Sequence, residues 1–358
     1  MEYFNVSFEK ALGFCEEVFA GYGIPKEDCE LISRALLEAD LRGIESHGIQ
    51  RLIRYHKEIT KGMIDVKARP EVVRETPVSA TVDAHSAIGQ LTGSWSMNIA
   101  VKKALTTGVG MVTVRDSNHF GIGGYYADIA ANSDLVGFCV TNTEAMIVPT
   151  GGTKAMLGTN PIAFSFPADP VPFMFDAATA VVTRGKLEVY KKNDKPLLPG
   201  WGIAADGSDS LSAAEVIECI ANRKGGGIAP LGGTSVVHGG HKGYGLAAIV
   251  DVMSAILSGG LASDYVNTDL HKSGTCHFFM AMDYGVFGDK KAIKAHLSQF
   301  MTELRESGGA KGGRIYTPGE MEWYNRQKNL EAGIAINSAT DAELRGIAQY
   351  HGLKYDLT

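Results

Sequence analysis

Residues 109–121, VGMVTVRDSNHFG, carry the signal that decides the fold of this chain. The apolar run Val109–Val114 predicts a buried β-strand, and the polar residues Asp116 to His119 follow it directly. A polar cluster at the carboxyl end of a strand, opening into a glycine turn, is where α/β folds place active sites. The same residues would also suit a plain turn in which Ser117 and Asn118 satisfy backbone groups. The stretch therefore predicts an α/β fold and makes His119 a candidate site residue.

Hydrophobic periodicity on either side of this strand predicts a mixed order of helices and strands. We predict helices in the first sixty residues, at 90–107, 125–131, 244–257 and 290–305, and twice more towards the carboxyl end. Strands are predicted at 72–75, 79–83, 135–141, 162–166, 172–175 and 276–282, and the segment 191–240 is predicted to be rich in loops. Because this order is not a regular βαβαβ alternation, a standard doubly wound sheet is not favoured.

Composition and charge restrict the class of protein. The 358 residues include 40 Asp and Glu against 34 Lys and Arg, a net charge of -6, which argues against nucleic acid or an anionic membrane as partner. The five cysteines are scattered and the ten histidines lack ligand spacing, so we expect reduced thiols and no metal site. The amino-terminal residues lack an apolar signal core and no apolar stretch is long enough to span a bilayer, so we expect a cytoplasmic protein.

A second candidate cluster lies between the predicted second and third helices. Ser46 and His47 precede Gly48, and positions 47, 51 and 55 are spaced i, i+4, i+8, which would place them on one helical face. His47, Arg51 and Tyr55 would then offer an imidazole, a guanidinium and a phenol, a set able to hold a carboxylate and to move a proton. The alternative is a Ser46 helix cap followed by a solvated basic face.

The glycine-rich run 239–245 precedes the predicted helix 244–257 and contains Lys242. Backbone amides at a helix amino terminus together with a lysine form an anion site that suits the phosphates of a dinucleotide. Such a run can also serve turn geometry alone. The chain has no phosphate-binding loop, no zinc-binding H-E-x-x-H helix and no strand followed by G-x-G-x-x-G, so its residues do not predict a conventional Rossmann domain.

Together these clusters resemble a known family. The matching motifs, in chain order, are Ser46-His47-Gly48 with Arg51, Asn118-His119-Phe120-Gly121, Pro149-x-Gly151-Gly152, Leu157-Gly158-Thr159-Asn160-Pro161, Asp176-x-Ala178-Thr179, Arg184-Gly185-Lys186 and Lys242-Gly243-Tyr244-Gly245. Over nearly its whole length the chain resembles the malate/L-lactate dehydrogenase family, which includes sulfolactate, ureidoglycolate and diketogulonate dehydrogenases. The resemblance implies an NAD- or NADP-dependent homodimer with a non-Rossmann α/β fold: a mixed, largely antiparallel sheet, flanking helices and a helical domain formed by both chain ends.

The resemblance also implies roles for individual residues. His47 and His119 match the two active-site histidines, each a candidate acid/base, while Ser46, Arg51 and Tyr55 match substrate contacts. The implied cofactor-binding residues are Thr143, Asp176, Ala177, Ala178, Lys242, His271, Lys272, Pro318, Gly319 and Glu320. One departure is the segment Thr234–His241, which separates Lys242 from the preceding Gly-Gly turn and puts in question how this loop meets the cofactor.

We predict three domains: a helical one (1–75 plus 306–358), a cofactor-binding one (76–125 plus 240–305) and a third α/β one (126–239). The segment Thr141–Met146 is most like the malate dehydrogenase branch, so the predicted reaction interconverts malate and oxaloacetate. Sulfolactate, lactate or ureidoglycolate dehydrogenase, a reductase of cyclic imino acids, and more remotely a non-catalytic dinucleotide-binding protein remain alternatives. The sequence does not choose between NAD and NADP. We expect the site to form across the subunit boundary, and we expect Trp201 to need cover from a partner.

Overall fold

The largest element of the fold is a seven-stranded β-sheet. The computed structural model describes residues 2–358. The helices are α1 (Phe8–Gly21), α2 (Lys26–Leu41), α3 (Leu52–Thr60), α4 (Gly89–Thr107), α5 (Gly123–Ala131), α6 (Arg184–Lys192), α7 (Ala213–Asn222), α8 (Gly240–Asp251), α9 (Lys290–Glu306), α10 (Glu320–Ala332) and α11 (Ser338–His351). The strands are β1 (Tyr3–Val6), β2 (Glu71–Glu75), β3 (Ser79–Asp83), β4 (Val109–Ser117), β5 (Val136–Thr141), β6 (Ile162–Phe166), β7 (Phe173–Ala177), β8 (Gly202–Ile203), β9 (Asp209–Ser210), β10 (Gly227–Ile228), β11 (Thr275–Met282) and β12 (Ile334–Asn337). The order in the large sheet is β2-β3-β4-β11-β5-β6-β7.

Strand β4 lies inside this sheet, as its apolar run predicts. Val112 and Val114 are fully buried. Strands β3 and β4 run parallel and are connected by α4, and all other neighbouring pairs are antiparallel. Helix α4 packs so closely on β4 that a Cβ at Gly110 would lie 2.0 Å from the carbonyl oxygen of Ala100. The prediction of a mixed, largely antiparallel sheet with flanking helices is confirmed.

Strand β11 occupies the middle of the sheet, between β4 and β5. Its residues Phe278 and Phe279 pair with Thr113 and Val112 on one side and with Val140 and Cys139 on the other. The sheet thus crosses the predicted boundary between 76–125 plus 240–305 and 126–239. The three-domain division itself stays a prediction.

The two ends of the chain pack together in a helical layer beside the sheet. Strands β1 and β12 form an antiparallel pair, which connects the amino-terminal helices to α11. The buried core of this layer combines early residues such as Phe19 and Leu36 with the late residues Ile336 and Ile347. This packing is what the predicted helical domain from both ends requires.

The segment 191–240 is more ordered than predicted. It contains α7 and the short strands β8, β9 and β10, which form a small antiparallel sheet. Ser212 caps α7 by accepting a hydrogen bond from the Glu215 amide, and Val216 and Ile220 are buried. The S-x-x-E capping pattern before an apolar stripe was therefore a helix signal. The glycine pairs nearby obscured it.

Helix α8 begins at Gly240, four residues before its predicted start, and continues into a π-helical turn at Val252–Ile256. Lys242 therefore lies inside the first helical turn, and the expected glycine-rich loop ahead of the helix is wrong at this point. The Gly240 amide donates a hydrogen bond to the carbonyl oxygen of Ser235, and the Lys242 amide donates one to the carbonyl oxygen of Gly239. These two amides are already used by the chain itself.

Candidate active site

His119 lies in the turn that follows β4, at the carboxyl end of that strand. The turn is held firmly: Asp116 adopts a φ of 56°, and the Asn118 amide nitrogen donates to the carbonyl oxygens of Ser86 (2.8 Å) and Ala87 (2.9 Å). The Asn118 side chain therefore does satisfy backbone groups, as the plain-turn interpretation holds. In doing so it fixes the backbone that carries His119.

His47 reaches the same place from the helical layer. The imidazole rings of His47 and His119 stack with centroids 5.7 Å apart and planes at 26°. The Tyr55 hydroxyl lies 2.7 Å from His119 Nδ1, and the Ser46 hydroxyl lies 2.9 Å from His47 Nδ1. Two candidate histidines that are 72 positions apart in sequence thus meet within a single chain. The expectation that the site forms across the subunit boundary stays a prediction.

The segment between Ser46 and Tyr55 is not one continuous helix. Short 3-10 turns cover Glu45–His47 and Ile49–Arg51, and α3 begins only at Leu52. The prediction that positions 47, 51 and 55 share one helical face is therefore wrong. Ser46 does not cap α3 either, since the cap residue of that helix is Arg51.

A buried carboxylate shapes the break at Gly48. Asp40 accepts a hydrogen bond from the Ile49 amide at 2.7 Å, and a Cβ at Gly48 would lie 2.0 Å from the Asp40 carboxylate oxygen Oδ1. Only glycine fits at this close approach. Burial raises the pKa of Asp40 to about 8, and the hydrogen bond from Ile49 partly offsets that rise. The turn that carries His47 is thereby fixed to α2.

Burial and positive charge keep both histidines neutral near neutral pH. Burial, followed by the charges of Arg51 and Arg54, lowers the pKa of His47 to about 4. Burial and then the charge of Arg54 lower the pKa of His119 well below its usual value. Burial raises the pKa of Tyr55, so its phenol stays protonated. The site therefore offers two proton acceptors that lie next to fixed cations.

Arg51 and Arg54 supply those cations. Arg51 donates through Nε to the Ser46 carbonyl oxygen at 2.6 Å, and Arg54 donates through Nε to Glu58 Oε1 at 2.7 Å. The charge of Arg54 influences Arg51 as well as both histidines. We assigned Arg54 no role from the sequence, although its position three residues after Arg51 on a helix was a usable signal.

The predicted cofactor residues lie in several parts of the fold. Thr143 follows β5, where its hydroxyl accepts a hydrogen bond from the Thr159 amide at 3.0 Å. Lys272 forms an ion pair with Asp116 at 2.9 Å and so approaches the turn that carries His119, while His271 is exposed. Lys242 is exposed in the first turn of α8.

Asp176 lies at the end of β7 and accepts a hydrogen bond from the Gly124 amide in the first turn of α5 (2.7 Å). Burial raises the pKa of Asp176 to about 6, against the opposing effects of that hydrogen bond and of Arg42. Ala177 pairs with Ile162 in the sheet, and Ala178 is partly buried. This group lies at the other end of the turn that begins at His119.

The late segment 318–320 packs against the strand that carries Asp176. The Pro318 carbonyl oxygen accepts from the Met174 amide at 3.2 Å, and Gly319 adopts a φ of 82° where a Cβ would collide with Met174. Burial would raise the pKa of Glu320, but the Thr317 amide and two arginines outweigh it and lower that pKa to about 2. The two oxygens of Glu320 accept from Arg305, Arg314 and Thr317. Its carboxylate is engaged within the chain and does not contact either histidine.

His277 supports the site from behind and was missed by sequence reasoning. It is fully buried in β11, with Nδ1 2.7 Å from the Thr141 hydroxyl and Nε2 2.9 Å from the Ser117 hydroxyl. Its ring stacks on Phe120 at a centroid distance of 4.4 Å. Burial lowers the pKa of His277 to about 3. Because its partners lie on β4 and β5, only the sheet order could have revealed it.

Two kinds of feature are absent from residues 2–358. No group of three or more His, Cys, Asp and Glu side chains there is arranged to hold a metal ion. Among the helices of the same residues, none combines the length and the apolar character needed to cross a membrane.

Several known proteins are similar to this chain over nearly its whole length. The family model described as malate/L-lactate dehydrogenase matches residues 6–345. Malate dehydrogenase of Pyrococcus horikoshii is 41% identical over 354 residues, covering 98% of this chain and 97% of the relative. L-sulfolactate dehydrogenase of Methanocaldococcus jannaschii is 35% identical over 344 residues, covering 95% of each. The crystal structure of malate dehydrogenase from Entamoeba histolytica matches with a TM-score of 0.94 at 33% identity, covering 99% of both chains.

These likenesses define the class of protein as an oxidoreductase of the 2-hydroxy acid dehydrogenase type. The chain belongs to the malate/L-lactate dehydrogenase family, and the resemblance inferred from its motifs is confirmed.

Proposed function

We propose that this protein is an NAD- or NADP-dependent dehydrogenase that interconverts malate and oxaloacetate. The observation that carries the proposal is the pair of neutral, stacked imidazoles of His47 and His119 beside the guanidinium of Arg51. The 41% identity to a relative named malate dehydrogenase supports the choice of substrate.

The histidine pair is the proposed acid/base. When malate is oxidised, its hydroxyl proton must leave as the hydride departs, and a neutral imidazole can accept it. Ser46 orients His47 through Nδ1, and Tyr55 orients His119 in the same way. In oxaloacetate reduction the same imidazole returns the proton to the carbonyl oxygen.

Arg51 is the proposed partner of the substrate carboxylate. Its Nε already donates to the Ser46 carbonyl oxygen, which fixes the guanidinium while its two terminal nitrogens remain to bind a carboxylate. Tyr55, also predicted to contact substrate, is buried with its hydroxyl on His119. Any contact it makes with substrate would share that hydroxyl.

A nicotinamide cofactor would supply the hydride acceptor when it is bound. The chemistry of the predicted residues fits such a dinucleotide, since Lys242 and Lys272 provide cations for phosphates and Thr143 provides a hydroxyl. We propose that these three residues bind the cofactor jointly with Asp176–Ala178, His271 and Pro318–Glu320. Within the last segment, the backbone of Pro318 and Gly319 is better suited to contact the cofactor than the carboxylate of Glu320, because two arginines already pair with that carboxylate.

We further propose a cytoplasmic homodimer. The outward face of α8 and its π turn is apolar, and Ile249, Val252, Ile256 and Leu257 are each at least half exposed in the isolated chain. A contiguous apolar face of this kind favours burial against a second copy. Trp201 gives no such support: it is partly buried and packs on Tyr190, with ring centroids 5.4 Å apart.

A substrate panel tests the proposed function. Oxaloacetate, pyruvate, sulfopyruvate and a cyclic imino acid would each be offered with NADH and with NADPH, following nicotinamide absorbance. We expect the highest kcat/KM with oxaloacetate. A His119→Ala preparation, which controls for contaminating dehydrogenases, should have at least about 100-fold less of that activity. A higher kcat/KM for any other member of the panel would overturn malate as the substrate. The same measurements decide between NAD and NADP.

A further inference from the structure

We propose that Arg54 is a specificity determinant that binds a second anionic group of the substrate, so that the site selects dianionic over monoanionic 2-oxo acids. This inference rests on the proposed function and goes beyond it, because it assigns the distal end of the substrate to a residue that sequence reasoning left without a role.

Arg54 lies next to the candidate site along the chain, and its charge acts on both histidines. It directly precedes Tyr55 on α3, and the hydroxyl of Tyr55 bonds to His119. It follows Arg51 by three residues, and side chains at that helical spacing have Cβ atoms about 5–6 Å apart. Among the charged groups around His119, Arg54 has the largest influence on its pKa, ahead of His47 and Arg51. The charges of both guanidinium groups therefore act on the same pair of histidines.

The way Arg54 is held leaves it able to bind a ligand. Only its Nε is used, by Glu58 Oε1 at 2.7 Å, and the second oxygen of Glu58 is buried without a hydrogen-bond partner. A purely structural Arg–Glu pair would gain most from two parallel hydrogen bonds. Here one bond fixes the guanidinium, and within residues 2–358 its two terminal nitrogens have no acceptor. With 30% of the side chain exposed, Arg54 remains accessible to a small anion.

Nearby acidic groups balance the formal positive charge but leave guanidinium nitrogens without an acceptor. Glu144, on the loop after β5, pairs with Arg184 at 3.4 Å, and Arg184 also pairs with Glu188. Arg51, Arg54 and Arg184 thus face Glu58, Glu144 and Glu188, a balanced set before substrate arrives. The glutamates that pair with Arg54 and Arg184 occupy only part of each guanidinium. Arg51 has no carboxylate partner among the described residues. Two bound anionic groups would satisfy Arg51 and the remaining nitrogens of Arg54.

The chemistry explains how selection would work. Oxaloacetate and sulfopyruvate carry a second anionic group, a carboxylate or a sulfonate, and either can accept hydrogen bonds from a guanidinium. Pyruvate carries only one, so its binding would leave the two terminal nitrogens of Arg54 desolvated and without an acceptor. Sites built around a polar partner reject analogues that lack it far more strongly than apolar pockets do.

The test compares kcat/KM for oxaloacetate, sulfopyruvate and pyruvate in wild type, Arg54→Gln and Arg54→Lys. We expect Arg54→Gln to lower kcat/KM for oxaloacetate by about 10- to 100-fold, mainly through KM, as for the loss of charge-assisted hydrogen bonds. The value for pyruvate should change by less than about threefold, and Arg54→Lys should recover part of the loss. Arg34→Gln is a matched control, because Arg34 donates through Nε to Glu30 at 2.9 Å on the exposed side of α2.

Other outcomes are equally decisive. Equal losses for oxaloacetate and pyruvate, or an unchanged ratio between them, would refute the assignment. A loss confined to sulfopyruvate would retain Arg54 as the second-anion residue and identify that anion as a sulfonate. If wild type reduces none of these acids, the proposed function fails, and calorimetric binding of malonate still tests Arg54: weaker binding in Arg54→Gln than in wild type and Arg34→Gln supports the assignment, and unchanged binding overturns it.

Discussion

Replacement of His277 by glutamine should make the protein less sensitive to acid. His277 is fully buried between the Ser117 and Thr141 hydroxyls, and burial lowers its pKa to about 3, against about 6.5 in an unfolded chain. As pH falls below 6.5, the imidazole binds a proton in the unfolded state but not in the folded state. The contribution of His277 to the unfolding free energy is therefore fully present above about pH 7 and is lost progressively towards about pH 3. Between pH 8 and pH 5 this one group should cost about 2 kcal/mol of unfolding free energy.

Urea denaturation followed by circular dichroism, at pH 8 and pH 5 and at one protein concentration, measures the effect. His277→Gln keeps a polar side chain near both hydroxyls but cannot titrate, so it should be less stable than wild type at pH 8 and lose less stability on acidification. The difference in unfolding free energy between wild type and His277→Gln should be about 2 kcal/mol smaller at pH 5 than at pH 8. All other titrating groups contribute equally to both proteins and cancel in this comparison. His296→Gln, on the exposed surface of α9, should show no such change. A gap for His277→Gln that is constant with pH would refute the reasoning.

Three further predictions concern activity and assembly. His47→Ala and His119→Ala should each lower kcat by about 100-fold or more, as the loss of a general acid/base does; near wild-type kcat in either variant would leave the other histidine acting alone. Arg51→Lys should reduce kcat/KM for oxaloacetate nearly as much as Arg51→Ala, because the geometry of two parallel hydrogen bonds is lost; an unchanged value would remove Arg51 from the carboxylate site. Ile249→Glu should shift the protein towards monomer in analytical ultracentrifugation by placing a charge in the apolar face of α8; a wild type that sediments as a monomer would contradict the proposed dimer.

Local patterns predicted the parts of this molecule whose partners are close in sequence. The run Val109–Val114 and helix α4 follow from periodicity alone, and the turn at His119 was predicted as a candidate site from its place after a strand. The pairing of β1 with β12 was invisible, because two four-residue segments at opposite ends of the chain carry no mutual signal. His277 was missed because its partners lie on strands that are distant in sequence. Within an apolar strand, a histidine by itself indicates only a core residue.

The candidate site was predicted in its residues more than in its geometry. His47, Arg51 and Tyr55 were selected on the assumption of one continuous helix, yet the chain breaks at Gly48 where the Asp40 carboxylate approaches. They still converge, because Tyr55 is positioned by α3 and His47 by its contact with His119. The same assumption, applied at i+3, would have included Arg54.

The central place of β11 determines the order in which the sheet can be completed. While the ribosome is still synthesising the chain, β4 and β5 each expose an unpaired edge until Met282 has emerged from the exit tunnel. At about 5–20 residues per second this interval lasts on the order of 10 s. Nascent chains that end before Met282 cannot complete the sheet, and their unpaired strand edges are sites for aggregation or for chaperone binding. In a cell, the solubility of this enzyme therefore depends on how its synthesis is timed as well as on its finished stability.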